Sequence, residues 1–338
     1  MREIVDAARA IRSKSSPVIG RRLVLTAGIG GFIGGCASVT RKQAAQVPVE
    51  RLATLDGATA GLALMLGRHQ QATASFLAKD PIVEAIAMLQ EGPVVDVSSP
   101  GGQLELEKLV ALSPTRVIGL SGGPVEQAVV LDRISSSVQR VARTGRLAAD
   151  SLAVGAALGR LRRTRHALTM LSASRQQLQS ALRSRSAPTI SIISPGLAAD
   201  SIFTVGGATP AASTVAALDL RRPAAQAKAA SSARSFVPVS LEHLPEHDAD
   251  LVFVAVGPTV DPRWLYDRPL WRQLGAVRRR RVIEVDALQW ATTSSLLGNW
   301  WVLDDLAAVL REDACPIVGS ATFRGIQRLA RYRALFGE

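Results

Sequence analysis

"LEKLVALSPTRVIGL", Leu106–Leu120, and "LEHLPEHDADLVFVAV", Leu241–Val256, carry one pattern twice. Each opens on Leu-Glu in a helical stretch, passes a short polar turn, and ends in an apolar run of strand length. A carboxylate in the first turn of a helix is favourable by itself, because it meets the positive end of the helix dipole. A whole helix-turn-strand unit, repeated on both sides of a long helix, predicts more than that. It predicts two related lobes with approximate two-fold symmetry.

The flanking sequence extends the pattern. "VERLATL" precedes "ATAGLALMLG", "PVVDV" precedes "LELEKLVAL", "TRVIGL" precedes "PVEQAVVLDRIS", and "SVQRVA" closes the set. Strands alternating with helices predict a parallel α/β lobe. From Arg160 to Arg185 there is no Pro or Gly, and Leu161, Leu168, Leu171, Leu178 and Leu182 share one helical face. Such a helix is about 39 Å long, enough to run across two lobes, and Pro188 marks its end. Beyond it, "TISIIS", "IFTV", "SFVPV", "DLVFVAV" and "RVIEV" read as strands. "ATPAASTVAALDL", "SLEHLPEH" and "VLDDLAAVLRE" read as helices. The expected fold is α/β, with two Rossmann-like lobes joined by one long connecting helix and a ligand cleft between the lobes. The expected lobes are 49–148 and 188–313, with the connecting helix at 149–187. A C-terminal extension, 314–338, holds the basic helical stretch "FRGIQRLARYRALF", expected to pack on the body rather than on anionic lipid.

The N-terminal stretch "GRRLVLTAGIGGFIGGCASV", Gly20–Val39, admits two readings. A dinucleotide fingerprint needs G-x-G-x-x-G between a strand and a helix. Gly28 and Gly30 fit its first positions, but Ile33 stands at the sixth, and "CASVTRKQAAQVP" has no apolar period. An export signal fits better. Arg21 and Arg22 precede an uncharged run from Leu23 to Gly35, which is too short for a permanent membrane span. "IGGC" resembles a lipobox, which makes Cys36 the lipidated first residue of the mature chain. The Arg pair resembles a twin-arginine signal, although Gly20 stands where Ser or Thr is usual, so the twin-arginine and general routes both stay open. Residues 1–35 are thus expected to be the export signal and 36–48 a lipid-anchored tether.

Composition narrows the function. The 338 residues carry a net charge of +12, of which the first 35 contribute +4. The basic residues are scattered, apart from "RRRR" at Arg278–Arg281, and aromatics make up only 4% of the chain. No stacking platform for nucleic acid follows from this, and none is expected as a partner. With Cys36 lipidated, Cys315 has no partner; a Cys36–Cys315 bridge is the competing reading. His243 and His247 are four residues apart, but Pro245 lies between them, which argues against a helical metal pair. No Ser-His-Asp set, metal cluster or phosphate loop supports an enzyme, and no cofactor is expected.

Taken in order, these stretches resemble the periplasmic-binding-protein family with a single helical connector. Its members are iron-siderophore, haem and cobalamin substrate-binding lipoproteins of ABC importers. The resemblance spans Val47 to Glu312. It rests on the opening "VERLATLDGATAGLALMLG", the repeated pair, "PLWRQLGAVRRRRVIEVDALQW" and "VLDDLAAVL". The stretch "ATTSSLLGNW" lacks the Arg that the family often has there. The resemblance implies an exported protein anchored by lipid to the outer face of the cytoplasmic membrane. It would capture a ferric siderophore-type chelate and deliver it to an ABC importer permease dimer. Haem or cobalamin binding, and a sensor or scaffold role without transport, stay open. For haem, Tyr266 or His69 is the candidate axial ligand.

In open α/β sheets, ligands sit beyond the carboxyl ends of the strands. That rule selects Asp56, Ser98, Ser99, Ser121 and Gly122 in the first lobe, and Gly206 and Thr209 in the second, as ligand-binding candidates. The resemblance places Trp290 at the cleft, against a chelate or macrocycle face. It also implies that one acid on each lobe, Glu107 and Glu242, meets Arg residues of the permease, with Glu105 the alternative in the first lobe.

Overall fold

A computed structural model describes residues 50–337, except 76–80, 100–102, 124, 126–127, 136, 184–185, 293 and 312–320. Arg21, Arg22, Cys36, the export signal and the tether lie outside the described residues, as does Cys315.

The first sheet comprises β1 (Leu52–Thr54), β2 (Ala72–Thr73), β3 (Val95–Asp96), β4 (Arg116–Leu120) and β5 (Val138–Val141), in the order β3-β2-β1-β4-β5. All its pairings are parallel. The second comprises β6 (Ile190–Pro195), β7 (Ile202–Val205), β8 (Phe236–Val239), β9 (Leu251–Val256) and β10 (Val282–Asp286), in the order β10-β9-β6-β7-β8. Read from opposite ends, the two orders match: β6 takes the place of β1, β9 of β4, and β10 of β5. The repeated sequence unit therefore supplies equivalent strands, β4 and β9. The match stops at direction, because β7 runs against both β6 and β8. Central strands buried on both faces read as continuous apolar runs, and in β6 every residue is buried. At the edge, β8 alternates and carries Pro238, which cannot donate to a ladder.

The main helices are α1 (Gly57–Met65), α2 (Pro81–Gln90), α3 (Leu106–Leu112), α4 (Leu147–Ala157), α5 (Leu161–Arg183), α6 (Pro210–Ala217), α7 (Ala224–Ala230), α8 (Leu296–Arg311) and α9 (Ala321–Phe336). The repeated unit supplies α3 before β4. Before β9 it forms a 3-10 helix, Leu241–His247, because Pro245 cannot complete an α-helical ladder. The stretch expected as one connecting helix holds two. Gly159, at φ +67°, ends α4, and the chain turns so that α4 packs on α5. Gly155 makes that approach possible, since a Cβ there would stand 2.0 Å from Thr164 Oγ1.

Helix α5 is fastened near its start and at its middle. Arg163 donates to the carbonyls of Leu66 and Gly337. Arg175 donates to Thr214 Oγ1 at 2.9 Å and to Asn299 Oδ1. Helix α9 packs on α1, α2 and α5, as expected of the extension, and buries Leu329, Tyr332 and Phe336. Its polar links run to α8, where Arg328 pairs with Asp305 at 2.7 Å and Arg331 and Tyr332 both reach Asp304, and to α2, where Arg333 donates to the Leu89 carbonyl.

Asp305 also accepts the Trp290 indole N–H at 2.8 Å. Burial pushes its carboxyl upward, and the Arg328 charge opposes that shift. Removing one member of a buried pair strands the other. Asp305→Ala is therefore expected to cost about 3–5 kcal/mol in urea unfolding, and Asp305→Asn, which keeps an acceptor for the indole, less. An equal loss in both variants would show that the indole bond adds nothing to the ion pair.

Asp286 is pushed up to about 6 by burial, and the neighbouring Asp305 charge adds to the shift. The folded state then holds an extra proton between the ordinary carboxylate value and about 6, so stability falls as pH rises through that window. Thermal unfolding between pH 4 and 7, referenced to Asp286→Asn, is expected to show this fall in the unsubstituted protein and a flatter profile in the variant. Parallel profiles would refute the raised titration.

Candidate functional site

A cleft opens between the lobes. The first lobe contributes Asp56, Gly57 and Ala58 after β1, Ser75 after β2, and Arg143 after β5. The second contributes Leu288, Gln289, Thr292 and Ser295 after β10. The equivalent strands β5 and β10 thus each carry cleft residues just beyond their carboxyl ends. The empty space, including the open mouth, is about 650 Å³. Arg143 is exposed and has no ion pair among the described residues.

The expected residues divide sharply. Asp56 lines the cleft, but its carboxylate is committed to the scaffold. Oδ1 accepts the Thr59 N–H at 2.8 Å as the N-cap of α1, and Oδ2 accepts the Thr59 hydroxyl and the Leu120 N–H. It holds the β1–α1 turn against β4. Ser98, Ser99, Ser121 and Gly122 sit on neighbouring carboxyl-end loops of the first sheet, outside the residues lining this cleft. Ser98 donates to Asp96 Oδ1 at 2.7 Å, and the Ser75 hydroxyl donates to Asp96 Oδ2 at 2.6 Å. That small network orders the loop beneath Ser75. The Ser99 N–H donates to Gln103 O, the Ser121 N–H donates to Val141 O, and Gly122 occupies φ +80° in an open turn.

Three expectations in the second lobe are corrected. Gly206 and Thr209 follow β7, which runs antiparallel to β6, so the carboxyl-end rule does not carry them to the cleft. Gly206 is buried, and a Cβ there would stand 1.8 Å from Arg234 O. Thr209 is fully buried as the N-cap of α6, with its hydroxyl donating to Gly206 O at 2.8 Å. Trp290 is 0% exposed and stacks on Phe253 with centroids 4.7 Å apart. It belongs to a one-turn helix, Ala287–Trp290. Each step in a helix turns by about 100°. Leu288 and Gln289 therefore line the cleft while Trp290 points into the core.

The sequence reading missed Arg143, Gln289, Thr292 and Ser295. Arg143 was within reach of the carboxyl-end rule, because it stands two residues beyond the strand "VQRV". Gln289 was passed over for the larger side chain beside it. The two proposed docking acids, Glu107 and Glu242, are both exposed, in the first turns of α3 and of the 3-10 helix. Glu105 is paired with Lys108 at 2.7 Å. Among the described residues, no helix is long and apolar enough to cross a membrane.

Known proteins agree with this architecture. Staphylococcus aureus SirA complexed with staphyloferrin B superposes with a TM-score of 0.61 at 18% identity, covering 78% of this chain and 93% of that one. The triscatecholate siderophore binding protein FeuA of Bacillus subtilis, complexed with ferri-bacillibactin, gives 0.61 at 17% identity, covering 78% and 92%. At such identities the likeness is one of fold. The achromobactin-binding periplasmic protein of Dickeya dadantii is 37% identical over 73 residues. That match spans 20% of this chain and about a quarter (24%) of the relative's length. The sequence pattern of a periplasmic binding protein family covers residues 52–288, from β1 of the first lobe to the turn that carries the second cleft wall. Two equivalent sheets, the cleft between them and this match lead to one conclusion: the chain belongs to the periplasmic binding protein family.

Proposed function

We propose that the protein is the extracytoplasmic, lipid-anchored binding component of an ABC importer, capturing a ferric siderophore-type chelate and handing it to the permease. The observation that carries this reading is Arg143 in a cleft otherwise lined by neutral polar and small apolar side chains and by a committed Asp56. A guanidinium with no ion-pair partner among the described residues favours a ligand with anionic oxygens. Gln289, Thr292 and Ser295 add donors for ligand oxygens. Three relatives whose names or bound ligands are siderophores point the same way. On this reading Cys36 carries the lipid, residues 36–48 are the tether, and no catalytic step is involved. The described residues divide into lobes on either side of α5. The exposed acids Glu107 and Glu242 stand at equivalent positions of those lobes, as docking to a symmetric permease requires.

Calorimetric titration of the protein with ferric hydroxamates, ferric catecholates, ferric hydroxycarboxylates, haem and cobalamin tests the ligand. An anionic ferric chelate is expected to bind, and Arg143→Ala to weaken it about tenfold, the value of one charge-assisted hydrogen bond. Binding of none of these ligands would move the protein to a sensor or scaffold role, and haem or cobalamin binding alone would replace the siderophore.

Docking is tested separately. Glu107→Arg and Glu242→Arg are expected to leave the dissociation constant unchanged while cellular uptake of the chelate collapses. Loss of affinity in solution would place these acids on the wrong surface.

A further inference from the structure

A second concavity lies wholly within the second lobe, between α7, β8 and the 3-10 helix Leu241–His247, and shares no residue with the cleft. Its rim carries Lys228 and Arg234, whose side chains make no ion pair among the described residues. Ser231, Ser232 and Ser240 add hydroxyls. The one carboxylate in its lining, Glu246, is engaged by His243 at 2.7 Å. The floor is polar and fixed. Thr204 and His247 are both buried there, and His247 Nδ1 lies 3.2 Å from Gln226 Nε2.

Behind the floor stands an uncompensated charge. Arg222 contacts Thr204 Oγ1 at 2.8 Å, Val205 O at 3.0 Å and Gln226 Oε1 at 2.9 Å, all neutral acceptors, and its Nη1 is buried without a partner. A part-buried guanidinium ordinarily meets a carboxylate. Here burial pushes it down to about 10, and its charge reaches the pocket floor, where it adds to the burial that lowers His247. Two cations thus line the rim of a hydroxyl-bearing hollow, and a third stands behind its floor against Thr204, while the one acid in the lining is held by His243.

We propose that this pocket is a second binding site, separate from the inter-lobe cleft, for a small ligand bearing carboxylate or phosphate oxygens. Lys228 and Arg234 hold the oxyanion at the rim, the Ser232 and Ser240 hydroxyls donate to its remaining oxygens, and Arg222 supplies a fixed positive field from beneath. The site does not depend on what the cleft binds.

The test is calorimetric titration of the full-length protein at low ionic strength, where exposed charges are least screened, with citrate and with inorganic phosphate. Saturable binding of one equivalent is expected, with a dissociation constant at or below about 1 mM. The double substitution Lys228→Ala with Arg234→Ala should weaken it at least about tenfold, while Arg143→Ala leaves it unchanged. Both replaced side chains are exposed, and an unchanged unfolding midpoint shows that the double variant is folded. The stronger of the two probes identifies the oxyanion as carboxylate or phosphate. The proposal is overturned if neither probe saturates by about 10 mM. It is equally overturned if binding ignores the double substitution, or if Arg143→Ala abolishes it and so assigns the anion to the cleft.

Discussion

The carboxylate of Asp305 holds three parts of the structure in one place. It accepts from Trp290 in the turn after β10, pairs with Arg328 of α9, and is itself carried by α8. A carboxylate buried this deeply persists as an anion only if its partners stay fixed. Its partners therefore fix each other. Trp290 anchors the turn whose preceding residues, Leu288 and Gln289, form the second-lobe wall of the cleft. Helix α9 then packs on α1 and α2, whose N-terminal residues Gly57, Ala58 and Ile82 contribute to the first-lobe side. Both walls lean on one C-terminal helix.

The connecting helix acts in the same sense. Arg163 fastens one end to the first lobe and to the chain terminus, and Arg175 fastens the middle to α6 and α8 through Thr214 and Asn299. Burial pushes Arg175 down to about 10, and its hydrogen-bond partners are neutral oxygens. Separating the lobes means breaking those bonds, which argues for a small lobe movement rather than a wide hinge.

The two lobes share strand order and differ in strand direction, and that difference shapes the site. A parallel sheet presents all its carboxyl-end loops on one edge. The first lobe does so, which is why Asp56, Ser75 and Arg143 come together from three different strands. In the second lobe β7 is reversed. Its glycine-rich turn is used for close packing against the Ser232–Ser235 backbone, and the cleft wall falls to the turn after β10.

The repeated unit at 106–120 and 241–256, the alternation of apolar runs and helical stretches, and the leucine face of the connector were legible because each is a local periodicity, set by burial on one face of one element. They determined the α/β class, the two lobes and the helix between them. Asp56 was legible as a loop residue for the same reason, although its capping of Thr59 was not. Whether a side chain meets the cleft or the core depends on strand direction and on single steps around a helix, and neither leaves a trace in composition. Gly206 and Thr209 look like loop residues after any strand, and only pairing with β6 reveals that β7 runs backwards. Trp290 and Gln289 are adjacent in sequence and about 100° apart on one helical turn. The partner that draws the indole inward, Asp305, is 15 residues further along and held by Arg328 from a helix beyond the family's matched region. That choice between wall and core was made by tertiary packing, because only there do the buried carboxylate, the indole and the guanidinium meet.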